Sequence, residues 1–208
     1  MQSNSLTIKT IACTLLLLLS GCASQQPKKP LVLSDQNGDT NAAGMIVLKN
    51  ANVRQPLVTY GATTIINSAL YSPASITGNA ILRKVTAHQP IIIIGSATLD
   101  KSTLYAPVTI TGGFNINNCT LGDLILYTAG TQRLFHTTIQ NIIVDHSSNE
   151  RPFTLELIDS TIDGIATFHG PNQATIILKG NSAITGEILG ATIKQSMQAT
   201  TDLRIAQS

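Results

Sequence analysis

A corner motif repeats along most of this 208-residue chain, and it constrains the fold more than any other feature. Each copy has a turn residue, two small residues and an aliphatic anchor, and in half of the copies a glycine follows eight positions after the anchor. The intervals between successive anchors are uneven and range from fifteen to twenty-three positions. Because units of this length bury their apolar faces by stacking on one another, the pattern predicts a solenoid. The anchors are Val53, Leu70, Val85, Leu104, Leu121, Ile139, Ile162 and Ile184.

The segments between the corners favour β-strands. In "PVTITGG" and "PASITGN" apolar and polar residues alternate, and β-branched residues are common. Coils of a β-solenoid hydrogen-bond to one another at ~4.8 Å, so that equivalent residues form columns. The sequence therefore predicts an all-β fold, a parallel β-helix (β-solenoid), expected to be right-handed, with about eight coils in residues 45–190.

Other β folds stay open on the sequence alone. A left-handed helix of hexapeptides needs a strict period of six, which the uneven intervals between anchors do not supply. A β-solenoid of another type is compatible with the columns. A β-sandwich or barrel would also alternate, but it would not repeat the same corner.

A mostly polar column stands three positions before the anchors. Short amides at such corners tolerate left-handed geometry and bond to the neighbouring backbone. The Asn–Ser/Thr–aliphatic–Gly spacing over residues 46–190 resembles that of bactofilins, which are bacterial β-helical polymer-forming proteins. Bactofilins are generally not exported lipoproteins, so the resemblance implies the fold more than the role. The column holds Asn50, Asn67, Leu82, Lys101, Asn118, His136, Asp159 and Asn181.

The amino-terminal segment has the features of a targeting signal. Its uncharged apolar run, Ile11 to Leu19, is too short to span a bilayer, which needs roughly 20 residues. The sequence Leu19-Ser20-Gly21-Cys22 resembles a bacterial lipobox. The resemblance implies cleavage between Gly21 and Cys22, diacylglycerol on the Cys22 thiol and acylation, typically with palmitate, of the new amino group.

The lipobox sets the expected location and domain organisation. Ala23 and Ser24 follow the cysteine where inner-membrane lipoproteins usually carry Asp in the second position, so the resemblance points to the outer membrane of a bacterial cell envelope. We expect a signal peptide in residues 1–21, a flexible polar tether in 22–44, the solenoid in 45–190, and a cap or tail in 191–208.

Composition narrows the range of partners. The net charge is +2 and 12% of residues are charged, so no basic surplus is present to neutralise a nucleic-acid backbone. The expected partners are the membrane, through the lipid, and an envelope protein, a glycan or a second copy of the chain. Cys119 has no intramolecular disulfide partner once Cys22 is assigned to lipid, and it fits the small-residue column of the corner.

Few residues suggest a specific site. His146 and His169 each lie seven positions after an anchor and would stack in one column, but a zinc site needs three or four ligands, so we predict no metal and no cofactor. The polar tip of an inserted loop is the expected contact surface, since loops on rigid scaffolds often carry function. This tip consists of Ser147, Ser148, Asn149, Glu150 and Arg151.

The sequence contains no familiar catalytic motif, and it favours a structural or adhesive scaffold without enzymatic activity. The alternative is a β-helix that binds or cleaves polysaccharide. Cleavage needs two carboxyl groups roughly 5 to 9.5 Å apart across a sugar. That alternative requires a common groove for residues drawn from Asp123, Asp145, Asp159, Asp163, Tyr71 and Tyr105.

Overall fold

The computed structural model describes residues 31–33, 40–146 and 152–195 of the chain. Within these ranges every regular element is a strand, and all of the strand pairings are parallel. The strands are β1 (Leu31–Leu33), β2 (Thr40–Lys49), β3 (Asn52–Val53), β4 (Leu57–Leu70), β5 (Ala74–Ala87), β6 (Ile91–Asp100), β7 (Thr103–Leu104), β8 (Val108–Thr111), β9 (Phe114–Asn117), β10 (Thr120–Tyr127), β11 (Thr131–Phe135), β12 (Thr138–Asp145), β13 (Thr154–Ile158), β14 (Thr161–Ile162), β15 (Ala166–His169), β16 (Ala174–Lys179), β17 (Ala183–Ile184), β18 (Ile188–Leu189) and β19 (Ala191–Gln195).

Each strand pairs with a strand one coil away, which makes the fold a β-solenoid of about nine coils. The prediction of a parallel β-solenoid is therefore confirmed, with one coil more than expected. At ~4.8 Å per coil the stack is roughly 40 Å long. The coils begin at Thr40, Leu57, Ala74, Ile91, Val108, Leu124, Ile142, Ala166 and Ile188.

A coil has three straight segments, because the inward–outward alternation of side chains breaks three times per turn. In coil two the breaks fall at Gly61, at Asn67 and between Tyr71 and Pro73. We call these the glycine corner, the left-handed corner and the proline corner. The segments of coil two are 57–60 (first face), 62–66 (second face) and 68–70 (third face).

The register corrects one anchor of the repeat. Leu70 pairs with Ala87, not with Val85, and Ala87 in turn pairs with Leu104. The two intervals between these three anchors are then equal, so the unevenness around Val85 disappears. The smaller aliphatic side chain of alanine hid this position in the sequence, because the neighbouring valine resembled an anchor more closely.

The corrected register also completes the left-handed corner. Lys84, rather than Leu82, stands in that column, and its φ is +53°. In coil eight Gly180, with φ +62°, stands in this column in place of Asn181, since Ile158 pairs with Lys179. The other seven residues of the column have φ between +46° and +53°, a region that asparagine and aspartate tolerate better than most residues. These residues are Asn50, Asn67, Lys84, Lys101, Asn118, His136 and Asp159.

Buried hydroxyl groups connect the coils just inside the left-handed corner. The Ser160 hydroxyl accepts a hydrogen bond from the Thr137 backbone N–H at 3.1 Å and donates one to the Ile158 carbonyl at 2.9 Å. Ser68 and Ser102 bond in the same way to the coil before them. These bonds satisfy backbone groups that the turn removes from the strand ladder, and burial of an unpaired group would cost about 1–3 kcal/mol.

Both ends of the predicted solenoid domain shift outward. We expected residues 22–44 to form a flexible tether. Instead, strand Leu31–Leu33 lies within this range and strand Thr40–Lys49 begins in it. The cause is the pairing of Leu31–Leu33 with Ile46–Leu48 of the first coil. At the other end β19 pairs with β16, so the ladder continues to Gln195. Residues 196–208, the rest of the expected cap or tail, lie outside the described residues.

We predict that Gly78→Ala strongly destabilises the solenoid. Gly78 has φ +128°, and an added Cβ would collide with the carbonyl oxygen of Gly61 in the coil before it. The strain and the clash together should cost at least about 2 kcal/mol and lower the thermal midpoint measured by far-UV circular dichroism. Gly113→Ala is the control, because no atom lies within 4 Å of its added Cβ and its φ is outside the left-handed region. Equal midpoints for the two variants would contradict this account of the glycine corner.

Candidate functional site

A column of exposed aromatic rings stands at the proline corner. The rings of Tyr71 and His88 stack with their centroids 5.2 Å apart and their planes 5° from parallel. His88 and Tyr105 continue the stack at 5.3 Å and 22°. The guanidinium carbon of Arg54 lies 5.8 Å from the Tyr71 ring centroid and covers that end of the stack. We call these four residues the aromatic column.

Sequence reasoning missed His88 as a member of this column. The displaced anchor at Val85 had put Thr86 in the position after the anchor, between the two tyrosines. The usable signal was the constant spacing from Arg54 to Tyr71, His88 and Tyr105, which becomes visible once Ala87 is the anchor.

The other end of the aromatic column is open. The next residue in the column is Gly122, which contributes no side chain. Coil five is one residue shorter than the coils before it, since Val108 pairs with Leu124. The tighter corner requires glycine, because a Cβ on Gly122 would meet the Tyr105 carbonyl. Tyr105 is accordingly 63% exposed.

The first face carries an uncharged strip with many apolar side chains. From coil two to coil six its outward residues alternate by coil, with apolar or aromatic pairs in coils two, four and six and hydroxyl pairs in coils three and five. Ile94 is 50% exposed and Tyr60 57%. The pairs are Val58 and Tyr60, Ser75 and Thr77, Ile92 and Ile94, Thr109 and Thr111, and Ile125 and Tyr127.

A shallow groove crosses the second face between coils five and six. Strands β9 and β11 pair only at Ile116–Asn117 with Leu134–Phe135, so the ladder opens before that point. Two adjoining depressions of about 320 and 580 Å³ result. Phe114, Phe135 and several amide side chains line them, which makes the groove a second polar–aromatic surface.

A charged triad joins coils six, seven and eight on the second face. Glu156 is 8% exposed, and its Oε2 accepts hydrogen bonds from Arg133 Nε at 2.9 Å and Lys179 Nζ at 3.0 Å. The hydrogen bond from Lys179, and then that from Arg133, lowers the pKa of the Glu156 carboxyl below its ordinary value. The triad holds its charge without an external ligand and is therefore explained as a structural clamp.

The two histidines that we expected to share a column do not share one. Asp145 pairs with His169, and the His146 backbone N–H donates to the His169 carbonyl at 2.8 Å. The reason is that the proline corner after Ile162 is one residue longer than the corner after Ile139, so an offset counted from the anchors does not carry across it. The His146 ring is buried against Phe153, with centroids 5.6 Å apart.

No metal cluster forms among the described residues, in which no three His, Cys, Asp or Glu side chains come together. The ring nitrogens of His146 have no hydrogen-bond partner among the residues that the structure describes. Cys119 is the one free cysteine within the described ranges, and burial raises the pKa of its thiol. Its Sγ donates to the Asn117 carbonyl at 3.2 Å, as the serine hydroxyls do in other coils.

The four aspartates considered for catalysis occupy different parts of the coil. Asp145 lies at the end of the first face and Asp159 at the left-handed corner, while Asp123 and Asp163 lie at the proline corner. Asp123 accepts a hydrogen bond from the Asn141 amide at 2.8 Å. Only Asp123 and Asp163 therefore share a corner with Tyr71 and Tyr105.

Two expected functional elements fall outside the described residues. One is the lipidation motif with Gly21 and Cys22. The other is the contact loop Ser147, Ser148, Asn149, Glu150 and Arg151. Both stay predictions of the sequence. No helix within the described residues is long and apolar enough to cross a membrane.

The fold defines a class, that of β-solenoid proteins with parallel coils. Comparison of the chain with protein-family models, with curated proteins and with solved structures found no match in any of the three.

We predict that the triad makes the stability of coils six to eight sensitive to acid. The Glu156 pKa is lower in the folded state than in the unfolded state. The ionised carboxylate therefore makes its full contribution to the free energy of unfolding above the unfolded-state pKa of about 4.3, and that contribution is lost as the pH falls through the folded-state pKa. At neutral pH Glu156→Gln should cost about 1 kcal/mol, and this difference from wild type should shrink as the pH falls below about 4.3. Urea unfolding followed by circular dichroism at a series of pH values measures it.

Asp163→Asn is the matched control, since Asp163 is exposed and has no ion pair among the described residues. Its difference from wild type should be within about 0.5 kcal/mol at every pH. A Glu156→Gln difference that stays constant as the pH falls would show that the ionised carboxylate does not act as the clamp.

Proposed function

We propose that this chain is an exported lipoprotein of the bacterial envelope that acts as a non-catalytic scaffold or adhesin. Its lipid would attach at Cys22, and the solenoid would present its surface to an envelope protein, a glycan or a second copy of the chain. The leader supports the first half of this proposal, because the apolar run and the sequence Leu19-Ser20-Gly21-Cys22 match what a lipoprotein signal needs.

The observation that carries the scaffold role is the uncharged strip on the first face. It extends over five consecutive coils, and at its centre Ile92 and Ile94 are 45% and 50% exposed. An exposed strip with this much apolar area commonly marks an interaction surface, because leaving it in water is unfavourable. The backbone ladder beneath the strip holds its columns at a fixed spacing, which suits a rigid contact surface.

No specific observation favours cleavage of a polysaccharide. A glycoside hydrolase needs one acid and one base or nucleophile facing the same bond. Asp159 already serves the left-handed corner, where its Oδ1 accepts a hydrogen bond from the Asn181 backbone N–H at 2.9 Å. Asp123 is bonded to Asn141. The proposal is therefore one of binding and support rather than of catalysis.

We predict that Cys22→Ser abolishes lipidation and releases the protein from the membrane fraction. The thiol is the acceptor of the lipid, and each methylene of an acyl chain contributes about 0.8 kcal/mol to membrane binding. Metabolic labelling with a palmitate analogue, followed by fractionation and immunoblotting, measures both effects. Cys119→Ser is the control, because it changes a cysteine within the solenoid and should leave labelling intact.

The anchoring proposal fails if Cys22→Ser is labelled and fractionates as wild type does. It also fails if wild type carries no label. Neither result bears on contacts of the first face, which crosslinking tests independently of anchoring.

We predict that the first face contacts another molecule in the envelope. A photocrosslinking amino acid at position 94, replacing the half-exposed Ile94, should give discrete crosslinked bands in cells, because the apolar strip is covered there. The same amino acid at Thr120, an exposed residue of the third face, should give none. Immunoblots of irradiated cells compare the two positions. Equal crosslinking from both positions would contradict a contact surface on the first face.

A further inference from the structure

We propose that the open end of the aromatic column, beneath Tyr105, binds a pyranose ring of a neutral glycan. This inference rests on the adhesive role proposed above and deepens it by naming a ligand class and a site. The site begins at the exposed Tyr105 ring. Below it lies the corner of coil five, where Gly122 leaves an empty position in the column (the empty rung) and Asp123 follows it. The corner of coil six adds the polar side chains of Gln140 and Asn141.

The empty rung has the dimensions of a stacking slot. Tyr105 and Gln140 stand two coils apart in the same column, which corresponds to about 9.6 Å. A ring in contact with a neighbour on each side needs about 7–8 Å, since carbon atoms pack at roughly 3.5–4.0 Å. Within the column, the ring faces of Tyr71 and His88 are occupied by their neighbours. As far as the described residues show, only the Gly122 side of Tyr105 offers an uncovered ring face in this column.

Charge and hydrogen-bonding capacity favour a sugar over other flat ligands. Asp123 and Asp163 lie at this corner, and their carboxylates would repel the phosphate of a nucleotide or nucleic acid. Carboxylate and amide groups beside an aromatic face can instead bond to sugar hydroxyls while the C–H groups of the sugar lie on the ring. The Asp123 carboxylate is already oriented by its 2.8 Å bond from Asn141.

The geometry predicts weak binding by one chain and stronger binding by many. A single exposed stacking platform supports dissociation constants on the order of millimolar. Chains held on one membrane by lipid would engage a polymer at several sites, and the effective concentration would raise the overall affinity. The probes are therefore oligosaccharides, used with the full-length lipidated protein in a detergent that has no sugar head group.

The test is a titration with cello-oligosaccharide and with chito-oligosaccharide, followed by saturation-transfer NMR. Tyr105→Ala should weaken binding about tenfold or more, the scale expected for loss of one ring-stacking contact. Tyr105→Phe should retain binding because the ring is kept. Met45→Ala is the matched control, since Met45 is a similarly exposed large side chain but lies on the second face of coil one, outside both proposed contact surfaces, and it should bind as wild type does.

Several results would overturn the proposal. They are no binding of either oligosaccharide by wild type, equal binding by Tyr105→Ala and wild type, or equal losses in Tyr105→Ala and Met45→Ala. Binding of phosphocholine at Tyr105 with no binding of sugars would assign the site to a cation instead. Because these measurements use purified protein in solution, a negative result leaves the anchoring experiment with Cys22→Ser unaffected.

Discussion

The backbone hydrogen-bond ladder between successive coils is the constraint on which the rest of this structure depends. Each regular coil has to return to the same register after a fixed length of chain, as the pairing of β4 with β5 and of β5 with β6 shows. This constant register requires corners that turn the chain by the same amount, over the same number of residues, in every regular coil. Gly78 and its equivalents supply one such corner, since any Cβ there would collide with the coil before it. The left-handed residues supply the second corner, and the buried hydroxyls satisfy the backbone groups that this corner takes out of the ladder.

Much of this fold could be predicted from the sequence because the repeat expresses the ladder directly. The strand period, the asparagines at the left-handed corner and the aliphatic anchors all follow from local chemistry. The assignment of Val85 as an anchor was wrong because it relied on the type of side chain. In the structure the anchor is the residue that lies a constant number of positions after the previous anchor, which is Ala87. Ala87 fills the column with a small side chain, and Lys84 adopts a positive φ that its residue type does not suggest. The stacking of coils places both Ala87 and Lys84 in their columns, and the residues next to them in the sequence do not indicate these positions.

The candidate site was harder to predict for a related reason. The anchor motif places Tyr71 and Tyr105 directly after the anchors Leu70 and Leu104, but a stack needs a ring in every coil, and with Val85 as the anchor Thr86 rather than His88 falls between them. The opening beneath Tyr105 depends on a corner that is one residue short, which shows only in the pairing of Val108 with Leu124. Likewise His146 and His169 each lie seven positions after an anchor, yet corners of different length put them in different columns. Sequence periodicity determines the rungs of such a protein, while the insertions and deletions at its corners decide which side chains meet.

A perfect repeat would present the same surface on every coil, so a distinct site has to arise where the repeat breaks. The first four coils keep a constant register and carry the covered end of the aromatic column, with Arg54 on Tyr71. The short corner at Gly122 ends that column and exposes the Tyr105 ring. The split between β9 and β11 opens the groove on the second face in the next coil. Beyond it the coils lengthen, and Glu156 bonds to Arg133 and Lys179 across three of them. The regular coils therefore repeat one surface, and the irregular coils from five onward hold the surface features that occur only once in the stack.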